Sequence, residues 1–251
     1  MDIVWIDSRA RVSGTPENFC SQLLNGLRGT DVSAVRVDQV RLTNSFRTVE
    51  HSNRYLYVRW ADGSMGYWEL ELGFYSAPEL AQHLSTRTVL VCEYISWSNS
   101  LRMTSDYNFH LMTDAELAAL PVAEWPGPAG TSPSQPRSFN DVLRNPHGAV
   151  VSERSFTTLY LNCSRYDTVY LTCSEFSSRK VHGPTHGRHN ILCRIDVNTP
   201  LGTVLTGAFP ENCSVFVGDF VHKNLHFQLT DWKGQLVELN DDSLQFCLIV
   251  E

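Results

Sequence analysis

The sequence predicts an all-β protein, either a β-sandwich or a jelly roll. Apolar residues recur mostly at every second position, turn residues interrupt them about every 8 to 12 residues, and few segments have the period of a helix. The 251 residues are 42% hydrophobic, which suffices for one large unit or two small ones. Two small tandem β-sandwiches are therefore the architectural alternative.

The first half of the chain contains a predicted bulged strand and a predicted hairpin. Val35 and Val37 alternate, and Asp38-Gln39 then shifts the phase, as a β-bulge does. A turn at Asp62-Gly63 joins two alternating segments that predict a hairpin with one solvated face. The apolar residues of these strands are Val35, Val37, Val40, Leu42, Leu56, Val58, Trp60, Trp68, Leu70 and Leu72.

The second half repeats this alternation more densely. The apolar residues from Ile191 to Val197 alternate with charged Arg194 and Asp196. A turn at Asp231 to Gly234 separates the alternating segment that ends at Leu229 from the one that begins at Val237. The apolar residues that predict these strands are Leu159, Leu161, Cys163, Val169, Leu171, Cys173, Ile191, Cys193, Ile195, Val197, Leu225, Phe227, Leu229, Val237, Leu239, Leu244, Phe246, Leu248 and Val250.

Helices are predicted to be few and short. Ser76 to Glu79 form a capping box with proline in the first turn, which predicts a helix near 77–84. Thr113 to Glu116 form a second capping box, followed by a turn or two of helix. Residues 15–27 are compatible with a helix, and equally with a strand and a loop.

A proline-rich segment lies near the middle of the chain. Residues 121–136 hold five of the eleven prolines. A sheet interior does not tolerate this density of proline, so the segment is predicted to be an exposed excursion or a linker. It separates an N-terminal portion near 1–120 from a C-terminal portion near 138–251.

The charge balance argues against strong nucleic-acid binding. The chain has 20 Lys and Arg residues and 27 Asp and Glu residues, which gives a net charge of -7. The basic residues are 17 Arg and only three Lys. Arginine is enriched and lysine depleted at protein interfaces, so the ratio fits a surface that contacts other proteins. A GC-rich genome explains it equally well.

The cysteine pattern and the chain start predict a protein that is made and kept in a reducing compartment. The seven cysteines are odd in number and include no CxxC pair, so neither a zinc ribbon nor a thioredoxin-like site is indicated. The first seven residues lack the basic region of a signal peptide. No segment approaches the roughly 20 apolar residues of a membrane span.

Motifs of catalysis or cofactor binding are absent from the sequence. It contains no GxSxG, P-loop, GxGxxG or HExxH motif. His182, His186 and His189 have a spacing that could supply metal ligands, but a solvated loop is the favoured interpretation of this Gly/Pro-punctuated segment. Asp7 and Asp241-Asp242 are expected to be solvated or paired with arginine. We therefore assign no catalytic, cofactor-binding or metal-binding residue, and expect no cofactor.

A series of short motifs runs through the first half: Ile6-Asp7-Ser8, Arg11, Asn18-Phe19, Val35-Arg36-Val37, Thr43-Asn44-Ser45-Phe46, Asn53, Gly73-Phe74-Tyr75-Ser76, Leu80 and Leu84. In this order they resemble the vertex proteins, that is the penton-base-like minor capsid proteins, of adenovirus-related and polinton-like double-stranded DNA viruses of the adintovirus or adomavirus type.

The second half continues the same resemblance. Its motifs are Ser138 to Leu143, Val169 to Ser174, Ile191 to Ile195, Phe209-Pro210, Leu225 to Asp231, Gly234 and Leu244 to Val250. The order of the motifs, more than any one of them, makes the resemblance specific. Adenoviral penton bases often carry an integrin-binding Arg-Gly-Asp loop, which this chain lacks.

The resemblance implies a single jelly roll with an inserted upper region. Residues 1–94 are then expected to form its N-terminal strands and a short helix near 77–84. Residues 95–150 form the inserted region with the proline-rich loop 121–136, and residues 151–251 the C-terminal strands.

The resemblance also implies a structural role in the virion. Five copies are expected to close each vertex of an icosahedral capsid, after assembly inside the host cell. The expected partners are other copies of the chain and the major capsid protein, with a spike or host receptor as a further candidate. A receptor- or glycan-binding module such as a fibre head is the alternative, and an enzyme with an unrecognised site is the third hypothesis.

Overall fold

The structure is a computed structural model that describes residues 2–28, 34–144, 153–164, 166–176, 190–208, 215–216 and 221–250. The chain divides into two compact units. The sandwich unit contains Met1–Phe46 and Tyr166–Glu251, and the inserted unit contains Arg47–Arg165. The sandwich unit is thus built from both ends of the chain.

Strands dominate the described residues. The helices there are α1 (Ala77–Arg87), α2 (Asp114–Ala118) and α3 (Asn140–Leu143), with short 3-10 turns at Ser8–Ala10 and Val122–Glu124. The strands are β1 (Asp2–Asp7), β2 (Ser13–Thr15), β3 (Asn18–Arg28), β4 (Ala34–Thr43), β5 (Tyr55–Trp60), β6 (Met65–Glu69), β7 (Val91–Ile95), β8 (Ser100–Leu111), β9 (Glu153–Thr157), β10 (Thr168–Cys173), β11 (Ile191–Asp196), β12 (Val204–Ala208), β13 (Val215–Phe216), β14 (Val221–Thr230) and β15 (Leu244–Val250).

The sandwich unit has the strand order of a jelly roll. One sheet runs β1-β15-β4-β12, with the short β13 also on β4, and the other runs β11-β10-β14-β3, with the short β2 at its edge. Eight strands of this unit have five or more residues. In chain order the first pairs with the eighth (β1 with β15), the second with the seventh (β3 with β14), the third with the sixth (β4 with β12) and the fourth with the fifth (β10 with β11). All of these pairs are antiparallel, as two Greek keys require. The prediction of a jelly-roll sandwich is confirmed.

Alternation fills the interior of the sandwich with side chains. Leu244, Phe246 and Leu248 of β15 are buried in one core with residues of both sheets. The ring of Phe227 on β14 lies 4.8 Å from that of Phe246 and 5.5 Å from that of Phe19 on β3, between ring centroids. Aromatic pairs at these distances add to the free energy of burial. The interior is therefore a packed core.

Two local predictions for the sandwich unit can be compared with the structure. Cys247 pairs with Gln39 and Leu248 with Val37, so that Asp38 has no opposite residue and the predicted bulge is confirmed. The segment 15–27 adopts the strand alternative, because β3 pairs with β14 from Asn18 onward.

The inserted unit is an antiparallel sheet with a helix on one face. Its strands run β6-β5-β8-β7, and β9 also pairs with β8. Both predicted capping boxes are present, at Ser76 before α1 and at Thr113 before α2. The first helix buries Leu80 and Leu84 in a core with the sheet residues Leu56 and Val58. The predicted hairpin is present as β5 and β6. Its predicted solvated face is wrong for β5, because Tyr55 and Tyr57 are buried in a second small core with Met112 and Leu117.

The proline-rich segment is an ordered loop of the inserted unit. Its Trp125 ring lies 5.2 Å from the ring of Tyr57, and the Trp125 indole N–H donates to Thr131 Oγ1 at 2.9 Å. The Tyr57 hydroxyl donates to the carbonyl oxygen of Pro136 at 2.8 Å. The loop is thus an excursion, fixed at both ends to one strand, and not a linker.

The insertion has different boundaries from those expected. It spans residues 47–165, whereas the sequence suggested 95–150. The difference arises because β5, β6 and β7 share a sheet with β8. Alternation identifies a strand but not the sheet that it joins.

Two predicted strand segments are irregular in the structure. Leu161 N–H donates to the carbonyl of Asn99 at 2.7 Å, and Val237 N–H to that of Leu229 at 3.0 Å. These are single hydrogen bonds outside a ladder, so Leu159–Cys163 and Val237–Leu239 are not strands. No helix in the described ranges is long and apolar enough to cross a membrane.

Replacing Phe227 with alanine is expected to destabilise the sandwich unit by about 3–5 kcal/mol, because it leaves a cavity between two rings. Urea denaturation measures the loss, and hydrogen exchange of β14 amides identifies the unit that unfolds. Phe74→Ala removes an exposed ring and is the matched control. A loss below about 1 kcal/mol for Phe227→Ala would contradict a filled sandwich core.

Candidate functional site

Strand β1 presents bulky apolar side chains on both of its faces. Ile6 is buried in the sandwich core, whereas Ile3 and Trp5, which alternate with the core-facing residues, are 60% and 69% exposed. Among the described strands β1 pairs only with β15, so it is an edge strand. Proteins usually protect an edge with charge, proline or a bulge, but the residues between Asp2 and Asp7 are Ile-Val-Trp-Ile. An exposed apolar edge of this kind is a candidate interaction site.

The apolar character continues across the sheet. Ile3 lies opposite Ile249 of β15, and Trp5 lies opposite Cys247. Cys247 is in turn opposite Gln39 of β4. Opposed residues on one face of a sheet have adjacent side chains. We call the outward-facing set Ile3, Trp5, Gln39, Arg41 and Gln245 the edge surface. Cys247 and Ile249 share this face of the sheet but are buried, at 3% and 5% exposure.

A shallow groove of about 530 Å³ lies on the edge surface beside Trp5. Arg41 and Thr206 line it together with Trp5. Arg41 is exposed and its guanidinium has no partner in the part of the chain that the structure describes. The Gln245 amide donates to Asp7 Oδ2 at 3.1 Å. Tryptophan and arginine beside a polar rim are the residues that dominate protein interfaces.

A second groove, of about 670 Å³, belongs to the inserted unit. We call it the β5–β8 groove, because the turn after β5 and residues 105–108 of β8 form much of it. Its lining residues are Trp60, Ala61, Asp62, Ser64, Val89, Ser105, Asp106, Tyr107, Asn108 and Arg154. The register of β8 against β9 breaks between Thr104 and Phe109, so residues 105–108 bulge out of the ladder.

Cys173, Glu175 and His226 bring a thiol, a carboxylate and an imidazole together in the sandwich unit. His226 Nδ1 lies 2.6 Å from Glu175 Oε1, and the Cys173 thiol donates to Glu175 Oε2 at 3.2 Å. The carboxylate therefore lies between the other two groups. Burial raises the pKa of Cys173, so its thiol stays protonated. A nucleophile needs its base within hydrogen-bond reach, so this cluster has the geometry of a structural contact.

Other thiols are also held in the neutral form. Burial raises the pKa of Cys92 and that of Cys163 to about 11. The predicted histidine trio His182, His186 and His189 lies outside the described residues. Within the described ranges, no three His, Cys, Asp or Glu side chains are placed to hold a metal ion.

The carboxylates considered from the sequence have local partners or lie on turns. Both oxygens of Asp7 accept from the Arg9 guanidinium, at 2.6–3.0 Å, and this contact lowers the pKa of Asp7. Asp242 Oδ1 accepts from the backbone N–H of Ser243, and Asp241 has a left-handed backbone with φ of 67°. Asp7 is thus paired with arginine, as expected.

Sequence reasoning did not single out Ile3 and Trp5. The available signal is the unbroken apolar run from Ile3 to Ile6. A strand with apolar residues on both faces is normally covered on both. Only the strand order of the sheet reveals that β1 is an edge strand.

The similarity of this chain to known proteins is found in three-dimensional structure. No family model matches the chain, and no curated protein matches it. Among solved structures, the crystal structure of selenomethionine-labelled mavirus penton protein is similar, with a TM-score of 0.46 and 8% sequence identity over 100% of this chain and 99% of that chain. A likeness of this degree carries no function from one protein to the other.

Replacing Glu175 with glutamine is expected to remove a stabilising contribution that depends on pH. Burial raises the pKa of Glu175, but hydrogen bonds from His226, Ser174 and Cys173 outweigh it, so the pKa lies below its ordinary value of 4.5. A lowered carboxyl pKa contributes stability that is complete above the ordinary value and is lost as pH falls through the lowered one.

The difference in unfolding free energy between the wild type and Glu175→Gln should be about 1–2 kcal/mol at neutral pH. It should shrink as the pH falls through the lowered pKa, because the folded carboxyl then becomes protonated as well. Urea denaturation at a series of pH values measures it, with Glu124→Gln on the exposed 3-10 turn as control. A difference that is constant with pH would contradict a role for the ionised carboxylate.

Proposed function

We propose that this chain is a structural protein of a virus shell, the subunit of a homopentameric vertex in an icosahedral capsid. The observation that carries the proposal is a filled jelly roll whose edge strand exposes Trp5 and Ile3. Jelly rolls serve as viral capsid domains, lectin domains and cupins. The core of this one is packed with Phe19, Phe227 and Phe246, so its interior offers no room for a small molecule. Its function therefore lies on its surfaces.

The edge surface supports contact with another protein. A tryptophan that is largely exposed in the single chain gains burial on association, and such residues are common hot spots. Charge is concentrated at the ends of β1, where Asp7 pairs with Arg9. An apolar centre with a charged rim is the usual anatomy of an interface.

A ring requires that unlike surfaces of neighbouring copies meet. Such a heterologous contact closes into a ring when its rotation divides a full turn evenly. The edge surface is one half of this contact, and a different surface of the next copy is the other half. The vertex position, with the major capsid protein as neighbour and the virion as location, rests on the ordered sequence motifs from Ile6-Asp7-Ser8 to Leu244–Val250.

A recognition module such as a fibre head is the second candidate. The β5–β8 groove favours it, since that groove joins exposed aromatic and polar side chains. A fibre head is expected to be a trimer, or a monomer if it acts alone. The assembly state therefore separates the two candidates.

Native mass spectrometry of the full chain is expected to show a particle of five times the 28.4 kDa subunit mass. Trp5→Ala should weaken the association about 30- to 1,000-fold, as the loss of a hot-spot residue does. Trp232→Ala removes an indole that is also exposed in the sandwich unit, on the turn after β14, and is the matched control.

Three results would contradict the vertex proposal. A trimer would favour the fibre-head candidate. A monomer at the highest soluble concentration would leave the edge surface without its partner copy. Equal effects of Trp5→Ala and Trp232→Ala on association would show that assembly does not use the edge surface.

A further inference from the structure

We propose that the β5–β8 groove of the inserted unit is a binding site for a neutral oligosaccharide. The proposal rests on the aromatic and polar side chains of the groove and does not depend on the shell role of the sandwich unit. All ten lining residues belong to the inserted unit, which has a core of its own.

The groove has one fixed aromatic wall and one exposed aromatic side chain. The half-buried Trp60 ring lies 6.0 Å from the ring of Trp68 and 6.5 Å from that of Phe109, so its orientation is set by packing. Tyr107 is 73% exposed. A sugar ring presents C–H groups on its faces, which gain free energy when they cover aromatic surface. A wall fixed before binding lowers the entropy cost of association.

The polar groups of the groove suit the hydroxyl edge of a sugar. Asp62 Oδ1 accepts from the backbone N–H of Ser64 at 2.9 Å and from its hydroxyl at 2.6 Å, which fixes the carboxylate. These bonds lower the pKa of Asp62, so it is an ionised acceptor. Asp106 and Arg154 are exposed and have no side-chain partner within the described ranges. Hydroxyl groups both donate and accept, and so can use both signs of charge at once.

The charge balance of the groove selects among ligand classes. The charged groups that line the groove are two carboxylates, Asp62 and Asp106, and one guanidinium, that of Arg154. The net negative charge opposes nucleic acids and sulfated glycans, which are polyanions. The same net charge does not repel a basic peptide, so a trilysine peptide is the competitor in the test below. A neutral ligand with many hydroxyl groups meets no repulsion from either sign of charge and can use both as hydrogen-bond partners.

The size of the groove fits a short oligosaccharide. Its volume of about 670 Å³ lies inside the range of roughly 300–1,000 Å³ that is usual for small-molecule sites.

Saturation-transfer NMR on the full chain tests the site. The probes are neutral trisaccharides, namely maltotriose, cellotriose and chitotriose, with N-acetyllactosamine as a fourth. At least one of them should receive saturation at its ring C–H protons. Tyr107→Ala and Asp106→Asn should each weaken its binding about tenfold, which corresponds to one good contact.

Trp97→Ala is the matched control, because Trp97 is 88% exposed in the same unit but does not line the groove. Circular dichroism of each variant verifies the fold, which is expected to survive because the replaced side chains are exposed. The proposal is overturned if none of the four probes binds, or if Trp97→Ala weakens binding as much as Tyr107→Ala. Preferential binding of a trilysine peptide or a heparin tetrasaccharide would also overturn it.

Discussion

The antiparallel pairing of β1 with β15 joins the first and the last strands of the chain, and the sandwich unit depends on it. Six residue pairs form it, from Asp2 with Val250 to Asp7 with Gln245. At its end the N–H of Leu244 donates to the buried Ser8 hydroxyl at 3.0 Å. Contacts of such sequence separation carry a large loop-closure cost. The packed core, with Phe246 on β15, offsets that cost.

The same pairing explains why the chain can contain an insertion and an exposed edge together. With β1 and β15 adjacent, the strands on both sides of residues 47–165 belong to one jelly roll. A unit with its own core can vary at its surface without strain on the jelly-roll core. Strand β1 has a partner on one side only, so Trp5 is left exposed. A shell subunit would use that edge, whereas a solitary monomer would be expected to protect it.

Local chemistry was predictable from the sequence wherever a few neighbouring residues determine it. The bulge at Asp38 follows from a phase shift, and the starts of α1 and α2 follow from Ser76 and Thr113 as capping residues. Membership of a sheet was not predictable, because Leu56 and Val58 alternate in the same way whichever strand they meet. The candidate surfaces were missed for a related reason. Exposure of Trp5 depends on strand order, and the β5–β8 groove depends on how Trp60 and Tyr107 come together.

The arginine content of the sequence favours an interface, but the structure gives six of the 17 arginines a local explanation. Those at positions 9, 36, 54, 87, 102 and 194 pair with carboxylates of their own unit. Exposed pairs of this kind add little stability, and they occupy these guanidinium groups. Arg41 on the edge surface and Arg154 in the β5–β8 groove differ, since neither has a partner among the described residues. The case for an interface therefore rests on the apolar edge of β1, with Arg41 as its polar neighbour, rather than on the ratio of arginine to lysine.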